Sequence, residues 1–390
     1  MSRNKKRSMA VLLVLAILFG TLSTGTVASA ESDSLGASAA CEGHTLGTFS
    51  GVPACVNENG ELHICKKNFP DENFRKYVLM LFGAANGYFT VEECDNISKI
   101  NVSNRSIETL RGIEFFTNLL KLDCSNSIVR ELNCSKNTAL TELTCSGCGL
   151  TKLDISNTAL EYLNCSNNLL MLTALDVSDN TALEYLNCSN NLLTELDVSD
   201  NIALEYLSCS NNLLTELDVS DNTALVALYC GNNQLIKLDV GDNIVLTELY
   251  CDNNQLTELD VSNGTALTEL SCNNNQLTEL NVSDNIALVT MYCENNQLIK
   301  LDVGTCTTLM YLYCGRNQLT ELDVSSNTVL IYLNCEHNQL KKLNVNGNTV
   351  LMHLSCGANQ LTELDVSNNA ALRSLSCNGS IELPMIFTGN

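Results

Sequence analysis

Cysteine recurs at a strict interval of 21 residues through the second half of the chain. The series comprises Cys188, Cys209, Cys230, Cys251, Cys272, Cys293, Cys314, Cys335, Cys356 and Cys377. Three earlier rungs, Cys124, Cys145 and Cys165, extend it with a one-residue deletion and a two-residue insertion at Met171-Leu172. A chain repeated at this period folds as stacked units, because each unit can bury its apolar side chains only against its neighbours. We therefore predict a coil of thirteen rungs.

Each repeat divides into two similar halves. The unit that begins at Ala182 reads ALEYLNCSNNLLTELDVSDNT, and both halves follow L-x-x-L-x-Φ-x-x-N, where Φ is apolar. The L-x-Φ alternation predicts a short strand with its apolar residues on one side, and the polar stretch ending in Asn predicts a turn. Two strands and two turns occupy the whole repeat, so a full helix has no room. The pattern predicts a coil with two extended sides.

The half-repeat L-x-x-L-x-C-x-x-N-x-L is the leucine-rich-repeat signature, and it recurs over roughly residues 100–380. With its cysteine ladder and its LDVSxNT half, the chain resembles internalin-J-like bacterial surface proteins. The resemblance implies a right-handed, parallel, β-rich leucine-rich-repeat solenoid over residues 101–380. It also implies a role in adhesion or partner binding.

The cysteines stand where leucine-rich repeats carry a core aliphatic residue, so we interpret them as small buried thiols. Parallel Cβ vectors on neighbouring strands disfavour disulfides between rungs, and no C-x-x-C pair recurs, so no metal site is predicted. Cys145 and Cys148 form one such pair, but Cys148 falls at an Asn position of its repeat. The predicted structural ladder comprises Cys188, Cys209, Cys230, Cys251, Cys272, Cys293, Cys314, Cys335, Cys356, Asn191, Asn212 and Asn233.

Asparagine forms two columns, one in each turn of the coil. The first includes Asn168, Asn191, Asn212, Asn233, Asn254, Asn275, Asn296, Asn317, Asn338 and Asn359. The second includes Asn180, Asn201, Asn222, Asn243, Asn285, Asn327, Asn348 and Asn369, with Cys306 in the same register. An inward carboxamide supplies donors and an acceptor to loop backbone that would otherwise be buried unpaired. Both columns are predicted to be structural.

Tyrosine dominates the outward positions beside the cysteine strand, where alternation places nine of the eleven tyrosines on one face, expected to be concave. Tyrosine suits a binding surface, because it brings apolar area and a hydroxyl at low entropic cost. A purely local reason, packing of neighbouring rings on an exposed strand, stays open. Where aromatics are densest, we predict a ligand-binding surface of Tyr229, Tyr250, Tyr292, Tyr311, Tyr313 and Tyr332.

Aspartate dominates the outward positions of the other half-repeat. The column includes Asp154, Asp176, Asp197, Asp218, Asp239, Asp260, Asp302, Asp323 and Asp365. Exposed like charges ~5 Å apart repel by only about 0.8 kcal/mol in water, so each step is tolerable. A solvated acidic face is the first interpretation, and weak binding of divalent cations along it is the alternative.

The first thirty residues carry the marks of a signal peptide. Four basic residues precede the apolar run from Met9 to Phe19, and Ala28-Ser29-Ala30 supplies small residues for cleavage near Ala30. The apolar run is too short to span a membrane, so no membrane insertion is expected after cleavage. Removing four basic residues takes the net charge from −23 to about −27, which argues against nucleic acid as a partner.

Residues 31–65 are small and polar, and are interpreted as a linker or irregular segment. Residues 66–100 are predicted to form a helical cap over the first coil, with Asp71 capping one helix and Thr90 with Glu93 forming a capping box for another. The loop between them resembles a degenerate EF-hand, because Asn86, Gly87 and Glu93 match its pattern while the first ligand positions hold Phe82 and Ala84.

Four cysteines in this N-terminal part, Cys41, Cys55, Cys65 and Cys94, allow three disulfide pairings, which the sequence leaves open. At the other end, residues 381–390 are interpreted as a C-terminal tail.

An enzyme needs unlike groups converging in one pocket, whereas this chain repeats one surface and scatters its four histidines. No catalytic residues and no cofactor are predicted. We expect a secreted or cell-surface bacterial protein, monomeric, that binds a protein or glycan through the tyrosine face and so serves in host adhesion. The alternative is a structural component of the cell envelope or matrix with no specific ligand.

Overall fold

The computed structural model describes residues 45–83, 87–168 and 172–378, together with the strand Met385–Ile386. The predicted signal peptide therefore lies outside the described residues. The elements, in chain order, are β1 Thr45–Phe49, β2 Val52–Val56, β3 Leu62–His63, α1 Glu72–Phe82, β4 Tyr88–Phe89, α2 Val91–Asp95, β5 Lys99–Asn101, a 3-10 helix Ile113–Phe115, β6 Lys121–Asp123, β7 Glu131–Asn133, β8 Glu142–Thr144, β9 Lys152–Asp154, β10 Tyr162–Asn164, β11 Tyr185–Asn187, β12 Tyr206–Ser208, β13 Ala227–Tyr229, β14 Glu248–Tyr250, β15 Glu269–Ser271, β16 Thr290–Tyr292, β17 Tyr311–Tyr313, β18 Tyr332–Asn334, β19 His353–Ser355, β20 Leu364–Asp365, β21 Ser374–Ser376 and β22 Met385–Ile386.

The chain folds as a parallel β-solenoid of about 13 turns with a spacing of about 21 residues, which confirms the predicted leucine-rich-repeat architecture. Within the described residues, one 14-stranded parallel sheet runs from β5 to β21 and carries one strand from each coil. Its first strand, β5, precedes Val102 instead of a cysteine, and the thirteen cysteine rungs follow. Leu186 pairs in register with Leu163 and Leu207, so equivalent residues stack directly.

The second side of the coil is extended but seldom forms regular strands, which differs from the prediction of a strand in each half. In the described part of the chain, its paired strands are β7 with β9 and β20 with β22, and β22 lies inside the predicted C-terminal tail. Elsewhere isolated bridges occur, such as Asp239 with Asp260. Successive coils on this side share few backbone bonds, such as that from the Gln255 amide to the Leu235 carbonyl at 2.8 Å. A continuous β-ladder between neighbouring strands needs more backbone hydrogen bonds than this side forms.

The core lies between the two sides and repeats with the sequence. In the coil that begins at Ala182, the buried residues are Leu183, Leu186, Cys188, Leu193, Leu196 and Val198. Each leucine removed from water contributes about 1.5–3 kcal/mol, but only the stacked neighbours complete that burial. Cys134 is also fully buried, in the column that Val177 and Val198 occupy on the second side.

In the first asparagine column each carboxamide donates to two coils as predicted, and among its ten members only the Asn191 Oδ1 lacks a hydrogen-bond partner. The Asn212 Nδ2 donates to the carbonyls of Cys188 at 3.1 Å and Cys209 at 3.0 Å. Its Oδ1 accepts from the Leu193 amide at 3.0 Å. Cys148 replaces Asn in this column, and its thiol donates to the Cys124 carbonyl at 3.0 Å, so it performs part of the same task.

The second asparagine column also donates to two coils, but it accepts nothing. The Asn222 Nδ2 donates to the carbonyls of Val198 and Asn201, each at 2.9 Å. Its buried Oδ1 has no hydrogen-bond partner, and the same holds for the other seven asparagines of the column. The thiol of Cys306 donates to the Val282 carbonyl at 3.5 Å, which is the bond that an Asn makes there. The prediction that the carboxamide also serves as an acceptor is therefore wrong for this column.

The ladder thiols should resist alkylation while the protein is folded. Burial raises the pKa of Cys209 to about 12, and the pKa of Cys230 is raised for the same reason. The thiolate is the reactive form, so iodoacetamide at pH 8 should leave Cys188 to Cys356 unmodified in native protein and modify them all in urea. Mass spectrometry of the alkylated peptides measures both states, and rapid native labelling would contradict the buried-thiol interpretation.

The N-terminal cap contains both predicted helices. Asp71 caps α1 by accepting from the Phe74 amide at 2.8 Å, and its other oxygen accepts from the Glu108 amide of the first coil at 2.8 Å. Thr90 and Glu93 form the predicted capping box of α2. Since Glu93 accepts from the Thr90 amide at 2.8 Å, its carboxylate serves the helix, while Ala84 and Asn86 of the EF-hand-like loop lie outside the described residues.

The interpretation of residues 31–65 as irregular is wrong for residues 45–63. β1 and β2 form an antiparallel hairpin that continues through β3 to β4 in a four-stranded sheet. Ser50 and Gly51 both adopt positive φ and close the hairpin turn. Phe49 is buried against Phe89 and Phe115, with ring centroids 5.7 Å and 6.1 Å away, so the hairpin is ordered by contacts that are distant in sequence.

Of the four N-terminal cysteines, Cys94 is fully buried and its thiol donates to the Phe115 carbonyl at 3.1 Å. Cys41 lies outside the described residues, so the disulfide pairing stays open.

Candidate binding face

The outward face of the 14-stranded sheet consists of two columns of side chains. The first and third residues of each strand point outward, while the central aliphatic residue points into the core, as in Tyr185, Leu186 and Asn187 of β11. Equivalent outward residues of adjacent coils are direct cross-strand partners, such as Tyr162 with Tyr185. Large side chains in one column therefore meet at the strand spacing of about 4.8 Å.

The tyrosines form two stacks of rings. The first, here the N-terminal stack, has centroid distances of 4.4, 4.3, 5.4 and 5.0 Å between successive rings of Tyr162, Tyr185, Tyr206, Tyr229 and Tyr250. The second, the C-terminal stack, has distances of 4.6, 4.6 and 5.6 Å between successive rings of Tyr292, Tyr313, Tyr332 and His353. Both stacks change column once, at Tyr206 to Tyr229 and at Tyr313 to Tyr332.

The six predicted site tyrosines are thus divided between the stacks. Tyr229 and Tyr250 end the N-terminal stack, while Tyr292, Tyr313 and Tyr332 belong to the C-terminal stack. Tyr311 is 36% exposed and belongs to neither series of ring contacts. His353 was not among the predicted site residues, but its ring continues the C-terminal stack. The signal available was its register, because His353 pairs directly with Tyr332.

The tyrosine hydroxyls stay protonated well above neutral pH. Burial raises the pKa of Tyr206 and Tyr313 to about 12. Burial and a hydrogen bond to a carboxylate also raise the pKa of Tyr229, which donates to Glu248, and of Tyr250, which donates to Glu269. The face therefore offers neutral hydroxyl groups at physiological pH, and two of these hydroxyls are hydrogen-bonded to glutamate side chains.

A polar cluster lies beside the C-terminal stack. The Glu294 carboxylate reaches across one coil and accepts from the Asn334 Nδ2 at 2.9 Å. Burial and the nearby Glu336 raise the pKa of Glu294, and Arg316 opposes them. Arg316 has a φ of +57°, in a column where Asn232, Asn253, Asn274 and Asn295 adopt the same conformation. Because the pKa of Glu294 is raised in the folded protein, ionisation of this carboxyl group lowers the stability of the fold as the pH rises.

The aspartates of the second side close turns. The Asp197 Oδ1 accepts from the Ser199 amide at 3.0 Å and from its hydroxyl at 2.7 Å. These bonds lower the pKa of Asp197, so the stability they contribute is lost as the pH falls through that lowered pKa. Over the described residues, no group of three or more His, Cys, Asp or Glu side chains is placed to hold a metal ion.

Throughout the described ranges, no helix combines the length and apolar character needed to cross a bilayer.

Comparisons with known proteins agree with this fold. Residues 69–180 match the family model of the leucine-rich-repeat domain of the endo-β-N-acetylglucosaminidase EndoS. The functional domain of InlJ from Listeria monocytogenes, whose structure includes a cysteine ladder, is 38% identical, with a TM-score of 0.67 over 82% of this chain and 76% of that one. No curated protein sequence matches significantly.

Two more distant structures share the fold alone. The internalin InlF from Listeria monocytogenes is 22% identical, with a TM-score of 0.64 over 87% of this chain and 94% of that one. The ectodomain of the receptor kinase GASSHO1/SCHENGEN3 from Arabidopsis thaliana, solved in complex with Casparian strip integrity factor 2, is 21% identical, with a TM-score of 0.57 over 71% and 40%. The period, the cysteine ladder and the likeness to InlJ together show that the chain belongs to the internalin-like leucine-rich-repeat proteins.

Proposed function

We propose that this chain is an exported, non-enzymatic binding protein that holds a protein or glycan partner on the outward face of its 14-stranded sheet. The observation that carries the proposal is the pair of ring stacks, which gather nine aromatic rings on a single face. Aromatic residues are enriched where proteins bind partners, because their large rigid area costs little entropy to immobilise. Host adhesion is the proposed biological role.

The division of surface roles supports this choice of face. On the second side the aspartates close turns; for example, the Ser220 hydroxyl donates to the Asp218 Oδ1 at 2.7 Å. The repetition of aspartate there therefore follows from the fold. The outward columns of the sheet depart from uniformity instead, with Ala227, Thr290 and Ser271 among the tyrosines. Departures of this kind are expected of a specific surface. A uniform scaffold component would have no need of them.

The C-terminal stack is the part that we expect to carry most of the binding. Replacing Tyr292, Tyr311 and Tyr313 together by Ser should abolish capture of the partner, because two stacked rings and one exposed ring are removed. Serine is tolerated in these strands, since Ser208, Ser271 and Ser355 occupy the third position naturally and Ser374 occupies the first. The measurement is a pull-down from host-cell surface extract and from purified cell wall, with residues 31–390 as bait.

A matched variant replaces Tyr162 and Tyr185, which are stacked in the same way in the N-terminal stack. Circular dichroism confirms that each variant stays folded. Loss of capture in the C-terminal variant alone places the partner there, and retained affinity in that variant contradicts the proposal for these residues. If the unsubstituted protein captures nothing from either source, a structural role in the envelope becomes the better explanation.

A further inference from the structure

One coil between the two ring stacks has no aromatic residue. Its outward residues are Glu269 and Ser271, and the rings on either side belong to Tyr250 and Tyr292. Two strand spacings separate these flanking positions, or roughly 10 Å. The rings in the adjoining steps are 5.0 Å and 4.6 Å apart, so one flat group placed halfway across this ring gap would continue the spacing of the stacks.

The floor of the ring gap is polar and held in place. The Ser271 hydroxyl donates to the Asp252 Oδ1 at 2.6 Å, and the Asn273 amide donates to the same oxygen at 2.9 Å. Ser271 is only 4% exposed, so its neighbours already cover it, and a group that binds here would rest on those neighbours between the two rings. A floor fixed by hydrogen bonds costs little to organise on binding.

Carboxylates surround the ring gap. Glu269 accepts from the Tyr250 hydroxyl, and Glu248 accepts from the Tyr229 hydroxyl one coil earlier. Ser271, which holds Asp252, is the cross-strand partner of Tyr292, and Glu269 pairs with Thr290 in the same strand as Tyr292. After burial, the charges of Glu269 and Asp252 also raise the pKa of Tyr292. In the described part of the chain, no Lys, Arg or His forms an ion pair with any of these carboxylates.

The group that fits must therefore be flat, one ring thick and positively charged. We propose that the ring gap receives the guanidinium of an arginine from a partner protein. Guanidinium is planar, stacks on aromatic faces and carries five donors for carboxylates. A lysine ammonium is not planar, and a phenyl group or a neutral sugar leaves the carboxylates without a countercharge. This inference rests on the proposed function and names the chemistry of the partner at one point of the same face.

Three synthetic peptides test the inference directly. One is an acetylated, amidated pentapeptide with two arginines between glycines, and its counterparts carry lysine or citrulline at those positions. Citrulline keeps the planar shape but has no charge. The protein has no tryptophan, so tyrosine emission can report binding. At 0.15 M salt we expect the arginine peptide to bind about tenfold more tightly than either counterpart.

Filling the ring gap supplies the matched variants. Ser271→Tyr should complete the stack and reduce the affinity of the arginine peptide to that of the lysine peptide. The variant is expected to fold, because tyrosine occupies the same column at Tyr250 and Tyr292. Ser355→Tyr adds a tyrosine to the same column away from the ring gap, and should leave the arginine preference unchanged.

Two results would overturn the inference. In one, the arginine and lysine peptides bind equally and lose affinity equally in 0.5 M salt, which is attraction to net negative charge alone. In the other, Ser271→Tyr keeps the arginine preference. The proposed function is tested separately. If a partner from the pull-down binds Ser271→Tyr but not the triple tyrosine variant, the outward face is still the binding surface and only the arginine site is ruled out.

Discussion

Replacing Asn212 by Ala should lower the free energy of unfolding by about 3–5 kcal/mol. The carboxamide satisfies three buried backbone groups, which are the carbonyls of Cys188 and Cys209 and the amide of Leu193. Alanine leaves the buried Leu193 amide without a partner, which costs about 1–3 kcal/mol. The two carbonyls keep one bond each, from Asn191 and Asn233, and each lost bond costs about a further 0.5–1.5 kcal/mol. Urea denaturation followed by far-ultraviolet circular dichroism measures the change, with exposed Gln234→Ala as the control.

The second asparagine column predicts a graded comparison. Asn222→Ala should cost less than Asn212→Ala, because the Asn222 Oδ1 has no partner to lose. Asn222→Cys should cost less again, since Cys306 already fills this column with a thiol that donates to the Val282 carbonyl. If the three variants are equally unstable, the destabilisation comes from lost packing volume and the hydrogen-bond account is wrong.

Replacing Gly112 by Ala should destabilise the junction between the cap and the solenoid by about 3 kcal/mol or more. Gly112 has a φ of +105°, which disfavours any residue with a Cβ. An added Cβ would also lie 2.4 Å from the Phe69 ring and 2.8 Å from the Asn68 carbonyl oxygen. The carbonyl belongs to the backbone, so the contact cannot be relieved by a side-chain rotation alone.

Gly60 supplies the matched control for this glycine. Its φ is +77°, and an added Cβ would meet nothing within 4 Å. Gly60→Ala should therefore cost about 1–2 kcal/mol, the penalty of the left-handed conformation alone. Thermal and urea unfolding of the two variants separates the steric cost from the conformational cost. Equal destabilisation would mean that the cap adjusts to the added methyl group.

The sequence by itself determined the repeating part of the molecule. The 21-residue period predicts the coil, and the alternation around Leu186 predicts which side chains are buried, because both depend on local geometry that every coil repeats. The capping residues Asp71 and Thr90 were readable for the same reason, since a helix cap is formed by residues three apart.

Only the tertiary structure decided how the coils meet. The outward tyrosines were visible in the sequence, but their division into two stacks depends on cross-strand contacts, including the change of column from Tyr206 to Tyr229. The hairpin at Phe49 and the contact at Gly112 likewise depend on aromatic residues far away in the chain. A periodic sequence specifies each coil, whereas stacking, gaps and docking arise from packing between residues that no local pattern connects.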